Sequence, residues 1–184
     1  MNTTRRGWMI VLAVLLCLPG CRDDSENTVV VYTALDQPFS EPILKEFEHR
    51  TGTRVAPKYD VEATKTVGLA EAIRAERNRP RCDVFWNNEI LNTLRLDREG
   101  LLRPFYPSQA EHFPEAFRSS KGTWYGFAAR ARVLIVNKGV ADDEAPRSIL
   151  NLADPKWRGQ TAIAKPLFGT TATHAACLFA YWGD

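Results

Sequence analysis

From Val29 onward, short runs of apolar, often β-branched residues alternate with amphipathic segments of helical period. Such runs are typical of buried parallel strands. Strands are predicted over residues 29–32, 53–57 and 82–86. Helices are predicted over about 40–50, from 67 toward Pro80, and from Ile90 to Gly100. The order β-α-β-α-β-α predicts an α/β fold, in which helices cover both sides of a parallel sheet.

Polar loops follow all three predicted strands, over residues 33–37, 60–66 and 87–89. The carboxyl ends of parallel strands lie at one edge of a sheet, and ligands of such sheets bind there. We therefore expect the binding chemistry of this chain at that edge.

Beyond Gly100 the sequence becomes irregular and rich in proline. Further strands are predicted over 123–128, 133–137 and 161–164, and a last helix over 172–181. The first two of these strands flank Ala129-Arg130-Ala131-Arg132. Because side chains alternate along an extended segment, the two arginines are predicted to share one face.

The N-terminus has the pattern of an export signal. Arg5 and Arg6 precede an apolar run over 8–16, which is too short to span a membrane comfortably. The run leads to Leu18-Pro19-Gly20-Cys21, which resembles the cleavage motif of bacterial lipoproteins, although Pro19 is unusual there. We expect Cys21 to be lipidated and residues 22–28 to form a tether. A plain signal peptide and an uncleaved anchor are the alternatives.

The charge of the chain excludes a basic field for nucleic acid. The net charge is +2, with 24 basic and 22 acidic residues. Loss of residues 1–21 would remove Arg5 and Arg6 but no acid, which leaves a neutral protein.

Two cysteines remain after that cleavage, Cys82 in a predicted strand and Cys177 in the last helix. Both are predicted to be buried free thiols, with a disulfide as the alternative. The pair is too small a set for a structural metal site.

Gly169-Thr170-Thr171 lies between a predicted strand and the last helix. Backbone N–H groups, two hydroxyls and the positive end of a helix dipole would converge there and could hold an anion. Simple capping of the helix by a threonine is the alternative.

No catalytic arrangement stands out. The three histidines are scattered, and no Gly-x-Ser-x-Gly or paired-histidine motif accompanies them. The sequence therefore predicts a protein that is not an enzyme and has no organic cofactor.

From Val29 to Asp184 the chain resembles the ferric-ion-binding family of periplasmic solute-binding proteins. Five motifs in order carry the resemblance: VYTA at 31–34, EATKTVGL at 62–69, DVFWNNE at 83–89, ARARV at 129–133 and DPKWRG at 154–159. The resemblance implies a two-lobed fold of class II, with lobe 1 over 29–131 and a truncated lobe 2 over 132–184. It also implies that a pair of adjacent tyrosines, which most members use as iron ligands, lies beyond Asp184.

The resemblance further implies a set of site residues. Glu89 matches the acidic iron ligand of the family, and Asp36 lies where the family usually has a histidine or tyrosine. Asp36 is either an oxygen ligand or a turn residue before Pro38. The implied anion-binding residues are Arg130, Arg132, Gly169, Thr170 and Thr171. An ion pair between lobes is the alternative role for one arginine.

The function implied is that of an ABC importer's binding protein, a lipid-anchored monomer in the periplasm. It would bind Fe³⁺, with carbonate or another anion, between the lobes and deliver it to a permease in the inner membrane. The alternatives are a binding protein for a phosphonate, another oxyanion or a small solute, and a membrane-tethered sensory domain on the same fold.

Overall fold

The computed structural model describes residues 27–60, 67–167 and 169–183. The predicted signal peptide, Cys21, most of the tether and the loop segment 61–66 lie outside these described residues. None of the helices in the described ranges combines the length and hydropathy that crossing a bilayer requires.

A three-stranded parallel sheet forms the first part of the fold. Its strands are β1 (Thr28–Thr33), β2 (Arg54–Tyr59) and β3 (Val84–Trp86), in the order β2-β1-β3. Val31 of β1 is level with Pro57 of β2 and with Val84 of β3. The strand prediction is confirmed here, with boundaries shifted by one or two residues.

The helices are α1 (Gln37–Thr51), α2 (Val67–Ala75), α3 (Leu91–Arg98) and α4 (Gly169–Trp182). Helix α1 begins before the predicted residue 40, because Pro38 in the first turn needs no N–H partner and has a helical φ already. It ends at Gly52, whose φ is 70° and whose N–H donates to the Glu48 carbonyl at 2.8 Å. Helix α4 begins three residues earlier than predicted.

The core lies on both faces of the sheet. On one face, Tyr32 and Ala34 pack against Leu69 of α2, with Ile73 and Phe85 partly buried beside them. On the other face, Val31 and Thr33 are also buried, so both faces of β1 are covered.

Helices α2 and α3 are joined by a bidentate ion pair. The Arg74 guanidinium donates from Nε and Nη2 to the two Glu99 carboxylate oxygens, each at 2.8 Å. The planar guanidinium matches a carboxylate in this geometry. The pair therefore fixes the end of α3 against α2.

Two weakly acidic groups lie in the core near α2. The Tyr32 hydroxyl donates to Glu76 at 2.8 Å, and burial together with this carboxylate raises the pKa of Tyr32 to about 12. Burial raises the pKa of the half-buried Cys82 thiol to about 11. The prediction of two free cysteines is confirmed, but Cys177 is exposed, so the prediction that it is buried is wrong. Its side of α4 contacts nothing that would cover it among the described residues.

The connection from α3 to α4 is mostly irregular. It contains short 3₁₀ turns at Ala110–His112, Glu115–Phe117, Ile149–Ala153 and Pro155–Trp157. The strands predicted over 123–128, 133–137 and 161–164 are wrong as paired strands. These segments are without secondary structure, apart from one isolated bridge between Arg118 and Tyr125. A β-branched sequence forms a strand only beside a partner strand, and the described residues supply none there.

The predicted apolar face of α1 is exposed in the described structure. Phe39, Ile43 and Phe47 remain solvent-accessible, while Leu44 is half-buried. The helical spacing of these apolar residues was correctly identified from the sequence, but the spacing alone does not determine whether another element packs against that face of α1.

Candidate functional site

The first residues that follow the three strands meet at one edge of the sheet, as predicted, while residues 61–66 of the second loop lie outside the described residues. The Ala34 N–H donates to the Trp86 carbonyl at 2.9 Å, and the Asn88 amide donates to the Ala34 carbonyl at 3.0 Å. The Asp60 N–H donates to the Thr33 carbonyl at 3.0 Å. The residues after each strand are therefore held together by two backbone hydrogen bonds and by the side chain of Asn88.

Glu89 lies at this edge, between β3 and α3, and is half-buried. Its carboxylate accepts from the Leu91 N–H at 2.7 Å and from the Asn92 N–H at 3.1 Å. These are two of the N–H groups that a helix leaves without partners at its start. Glu89 thus stabilises the N-terminus of α3, where a negative charge is also favoured by the helix dipole.

Asn87 holds Glu89 in place from the preceding turn. Its side-chain amide donates to the Glu89 carbonyl at 2.6 Å, to the Glu89 Oε1 at 3.1 Å and to the Thr93 hydroxyl at 3.0 Å. Asn87 was not among the individually predicted site residues. Its position directly after a strand at the ligand-binding edge was the signal that could have identified it.

A second unpredicted residue, Thr173, connects Glu89 to α4. The Thr173 hydroxyl donates to the Glu89 Oε2 at 3.2 Å, across 84 residues of sequence. No pattern in the sequence indicated this contact, because it depends on how α4 packs against the sheet edge.

The predicted anion cluster is partly assembled. The Arg132 Nη2 donates to the Thr170 hydroxyl at 2.8 Å and to the Thr171 hydroxyl at 3.1 Å. Both threonine hydroxyls act as acceptors here, so their hydrogens remain available to donate to an anion. Gly169 begins α4 with a φ of 53°, a conformation that glycine adopts without strain.

Two of the predicted site residues lie at exposed positions. Arg130 is exposed and makes no hydrogen bond or ion pair with the described residues. Asp36 is exposed and precedes α1; its carbonyl accepts from the Phe39 and Ser40 N–H groups. The side chain of Asp36 does not cap that helix.

The electrostatics of the site come from charges placed at helix N-termini. The carboxylate of Glu89 contacts the first turn of α3 and, through Thr173, the second turn of α4. Arg132 brings a cation to the start of α4, where the helix dipole is also positive. A negative ligand between Arg132 and the helix would relieve that repulsion. The described residues contain no group of three or more histidine, cysteine, aspartate or glutamate side chains placed to hold a metal ion.

Comparisons with known proteins agree on one family. A family model described as bacterial extracellular solute-binding protein matches residues 93–181. The chain is 29% identical over 139 residues to Iron uptake protein A1 of Synechocystis sp., covering 75% of this chain and 38% of that protein. It is 23% identical over 157 residues to the Fe(3+)-binding periplasmic protein of Serratia marcescens, covering 85% of this chain and 45% of that protein.

Solved structures match the fold. Iron-bound HitA from Pseudomonas aeruginosa superposes with a TM-score of 0.73 and 26% identity, over 85% of this chain and 50% of that chain. The Trichodesmium protein IdiA (FutA) in complex with iron and citrate gives a TM-score of 0.68 and 25% identity, over 85% of this chain and 48% of that chain.

The chain thus spans about half the length of the proteins that it matches. The predicted α/β fold of the two-lobed periplasmic binding proteins is confirmed by these structural neighbours, and so is the resemblance to ferric-ion-binding members. The chain is therefore similar to bacterial extracellular solute-binding proteins over residues 93–181, and to ferric-ion-binding members over a longer stretch.

Proposed function

We propose that the protein is the substrate-binding component of an ABC-type importer that takes up ferric iron. It binds Fe³⁺ together with an anion and delivers the pair to a permease in the inner membrane. The names of its relatives, Fe(3+)-binding periplasmic protein and Iron uptake protein A1, support iron as the cargo.

One observation carries the proposal: the first two turns of α4 contact both Glu89 and Arg132. The Thr173 hydroxyl donates to the Glu89 carboxylate, and the Thr170 and Thr171 hydroxyls accept from the Arg132 guanidinium. A carboxylate suits a hard cation, while a guanidinium beside two hydroxyls suits an oxyanion. A metal–anion pair matches this combination better than a bare cation or a bare anion does.

Glu89 is the proposed iron ligand within this chain, with Asp36 as a second oxygen donor. Glu89 now accepts hydrogen bonds at both oxygens. Binding of Fe³⁺ would replace some of them, and the charge of the ion would compensate for the loss. The remaining ligands would come from the anion and from oxygen donors outside the described residues.

The anion is proposed to bind at Arg132, Gly169, Thr170 and Thr171, with Arg130 approaching from solvent. Carbonate, citrate and phosphate all offer oxygens for this arrangement. Citrate is supported by the related structure that contains iron and citrate.

The proposed location is extracytoplasmic, with a lipid on Cys21 and residues 22–28 as the tether. The protein would act as a monomer without chemical turnover, closing on its ligand by a hinge. The proposed lobes, 29–131 and 132–184, would meet at the Glu89–Thr173 contact.

A second candidate is the binding of an oxyanion, such as a phosphonate, without iron. The observation that favours it is the cluster of Arg132, Thr170 and Thr171, which is assembled without any metal. In that case Glu89 would only stabilise α3.

The two candidates can be separated with the full chain in phosphate-free buffer. The protein is dialysed against radioactive Fe³⁺ supplied as its citrate complex, and tryptophan fluorescence is titrated with citrate alone and with phenylphosphonate alone. Glu89→Gln keeps the size of the side chain but removes its charge, and Arg147→Ala at an exposed, distant position is the control.

Iron uptake is expected for the parent and for Arg147→Ala, with a loss of at least about tenfold for Glu89→Gln, since a charged ligand is removed. The second candidate, oxyanion binding without iron, would be favoured if the anion bound equally tightly with and without iron and if Glu89→Gln did not change its affinity.

A further inference from the structure

The edge of the sheet opposite the candidate site carries an unusual concentration of arginine. Helices that follow parallel strands run back along them, so α1, α2 and α3 all end at the amino edge of the sheet. Five exposed arginines lie at or just beyond these helix ends; we name them the basic edge: Arg50, Arg77, Arg79, Arg81 and Arg98.

The strand register fixes where this edge is. Val84 of β3 is level with Val31 of β1, which places Arg81 near the level of Thr28, the first residue of β1. The Asp83 N–H donates to the Val30 carbonyl at 3.0 Å, which confirms the alignment. The basic edge therefore surrounds the point where the chain enters the folded domain.

Three acids near the basic edge, Glu76, Asp83 and Glu99, are engaged with other groups. Glu99 is paired with Arg74. Glu76 accepts from the Tyr32 hydroxyl, and Asp83 accepts from the Val30 N–H at 2.8 Å. No member of the basic edge forms an ion pair with a described residue. Among the described residues, these five cationic side chains therefore have no ion-pair partner, in a chain whose overall charge is close to neutral.

Helix dipoles explain only part of this pattern. Arg50 and Arg98 lie in the last turns of α1 and α3, where a cation is favoured. Arg79 and Arg81 lie beyond the end of α2, in the connection to β3, where no helix terminus requires them. Both side chains are exposed and have no ion-pair partner in the part of the chain that the structure describes, which points to a ligand outside the domain.

We infer that the basic edge contacts anionic phospholipid headgroups of the membrane to which the protein is tethered. This inference rests on the proposed lipid anchor at Cys21. Six residues lie between Cys21 and Thr28, and the seven steps from one Cα atom to the next reach at most about 25 Å. The anchored domain therefore stays within reach of the headgroups, and the basic edge is the part of the domain that faces them. The candidate site, at the opposite edge, then faces away from the bilayer.

The segment between the anchor and β1 contains acids as well, Asp23, Asp24 and Glu26. They are fewer than the arginines of the basic edge, so attraction to an anionic surface prevails. Because the contact is electrostatic and close to water, it weakens as salt screens the charges.

Arginine footprinting of the lipidated full-length protein tests the inference. The protein is reconstituted in phosphatidylcholine vesicles with or without phosphatidylglycerol and treated with phenylglyoxal, and the modification of each arginine is followed by mass spectrometry. Arg147 and Arg158, which are exposed elsewhere, serve as internal controls.

With phosphatidylglycerol, modification of Arg77, Arg79 and Arg81 is expected to slow on the order of fivefold relative to the controls. High salt should abolish this protection, and phosphatidylcholine alone should give none. In the variant Arg77→Glu/Arg79→Glu/Arg81→Glu, Arg50 and Arg98 should lose their protection as well.

Equal modification rates at the basic edge and at the controls in anionic vesicles would overturn the inference, as would failure of the protein to remain with the vesicles. Protection that persists in high salt would also overturn it, because it would indicate a contact with another protein surface. Iron binding in detergent solution reports on the proposed function separately.

Discussion

The Glu89 carboxylate accepts a hydrogen bond from the Thr173 hydroxyl at 3.2 Å, and this contact joins the sheet edge to the helix α4. The same carboxylate stabilises the start of α3 through the Leu91 and Asn92 N–H groups. One side chain therefore has two tasks in the described structure, and the proposed binding of iron would add a third. The variants below separate them.

Glu89→Ala is expected to lower the free energy of unfolding by about 1–2 kcal/mol, because two N–H groups at the start of α3 lose their acceptor. Urea denaturation followed by circular dichroism measures the change. Glu46→Ala, at an exposed position on α1, should stay within about 0.5 kcal/mol of the parent. Equal stability of the Glu89 and Glu46 variants would show that Glu89 does not cap α3.

Thr173→Val should lower the free energy of unfolding by about 1 kcal/mol, since it removes the hydroxyl but keeps the branched shape. Thr173→Ser keeps the hydroxyl and serves as the matched control. Hydrogen exchange of the α4 amides should accelerate in the valine variant alone. If the serine and valine variants exchange alike, the contact with Glu89 does not stabilise α4.

Arg132→Lys should weaken citrate binding by about tenfold, although it keeps the positive charge. An ammonium cannot reproduce the planar set of donors with which the guanidinium contacts two hydroxyls and still has N–H groups left for an anion. Isothermal titration with citrate measures the loss. Arg130→Lys, at a position without such contacts, should change the affinity by less than about threefold. A larger loss of citrate affinity in Arg130→Lys than in Arg132→Lys would indicate that the anion binds at Arg130 instead.

Cys177 should react with a maleimide far faster than Cys82 at neutral pH. Cys177 is exposed, whereas Cys82 is half-buried and burial raises its thiol pKa to about 11, which leaves little of the reactive thiolate. Peptide mapping by mass spectrometry separates the two sites and also distinguishes them from Cys17 and Cys21. Comparable labelling rates before unfolding would contradict the buried position of Cys82.

The folded state should lose stability at alkaline pH. The pKa of Cys82 rises from 9.0 to about 11 and that of Tyr32 from 10.0 to about 12. Between these values the unfolded chain releases protons that the folded chain keeps, so the free energy of unfolding falls as the pH rises. Below about pH 9 both groups are protonated in both states, and their contribution is constant.

Thermal melts between pH 8 and pH 11 measure this effect, because this interval includes the ordinary pKa values of both groups, 9.0 and 10.0. Tyr32→Phe should reduce the steepness of the decline above pH 10, independently of any change in absolute stability. A melting temperature that is constant across this range would contradict the assignment.

Local pattern identified the first half of the fold. The buried runs gave β1, β2 and β3, and Gly52 and Gly100 marked the helix ends, because strand burial and left-handed turns depend on neighbouring residues in the chain. The three segments predicted as strands beyond Gly100 failed for the complementary reason. Their residues favour extended backbone, but a strand also needs a partner, and that depends on residues far away in sequence.

The candidate site divides in the same way. The sequence by itself determined that Glu89 follows a strand at the ligand-binding edge and that Thr170 and Thr171 lie close to the start of a helix, since both facts are local. Only the tertiary structure decided that Thr173 contacts Glu89. It also decided that Arg132 rather than Arg130 reaches α4, and that Cys177 is exposed. These outcomes depend on the packing of α4 against segments 38 to 84 residues away, and no periodicity in a sequence encodes a distance of that kind.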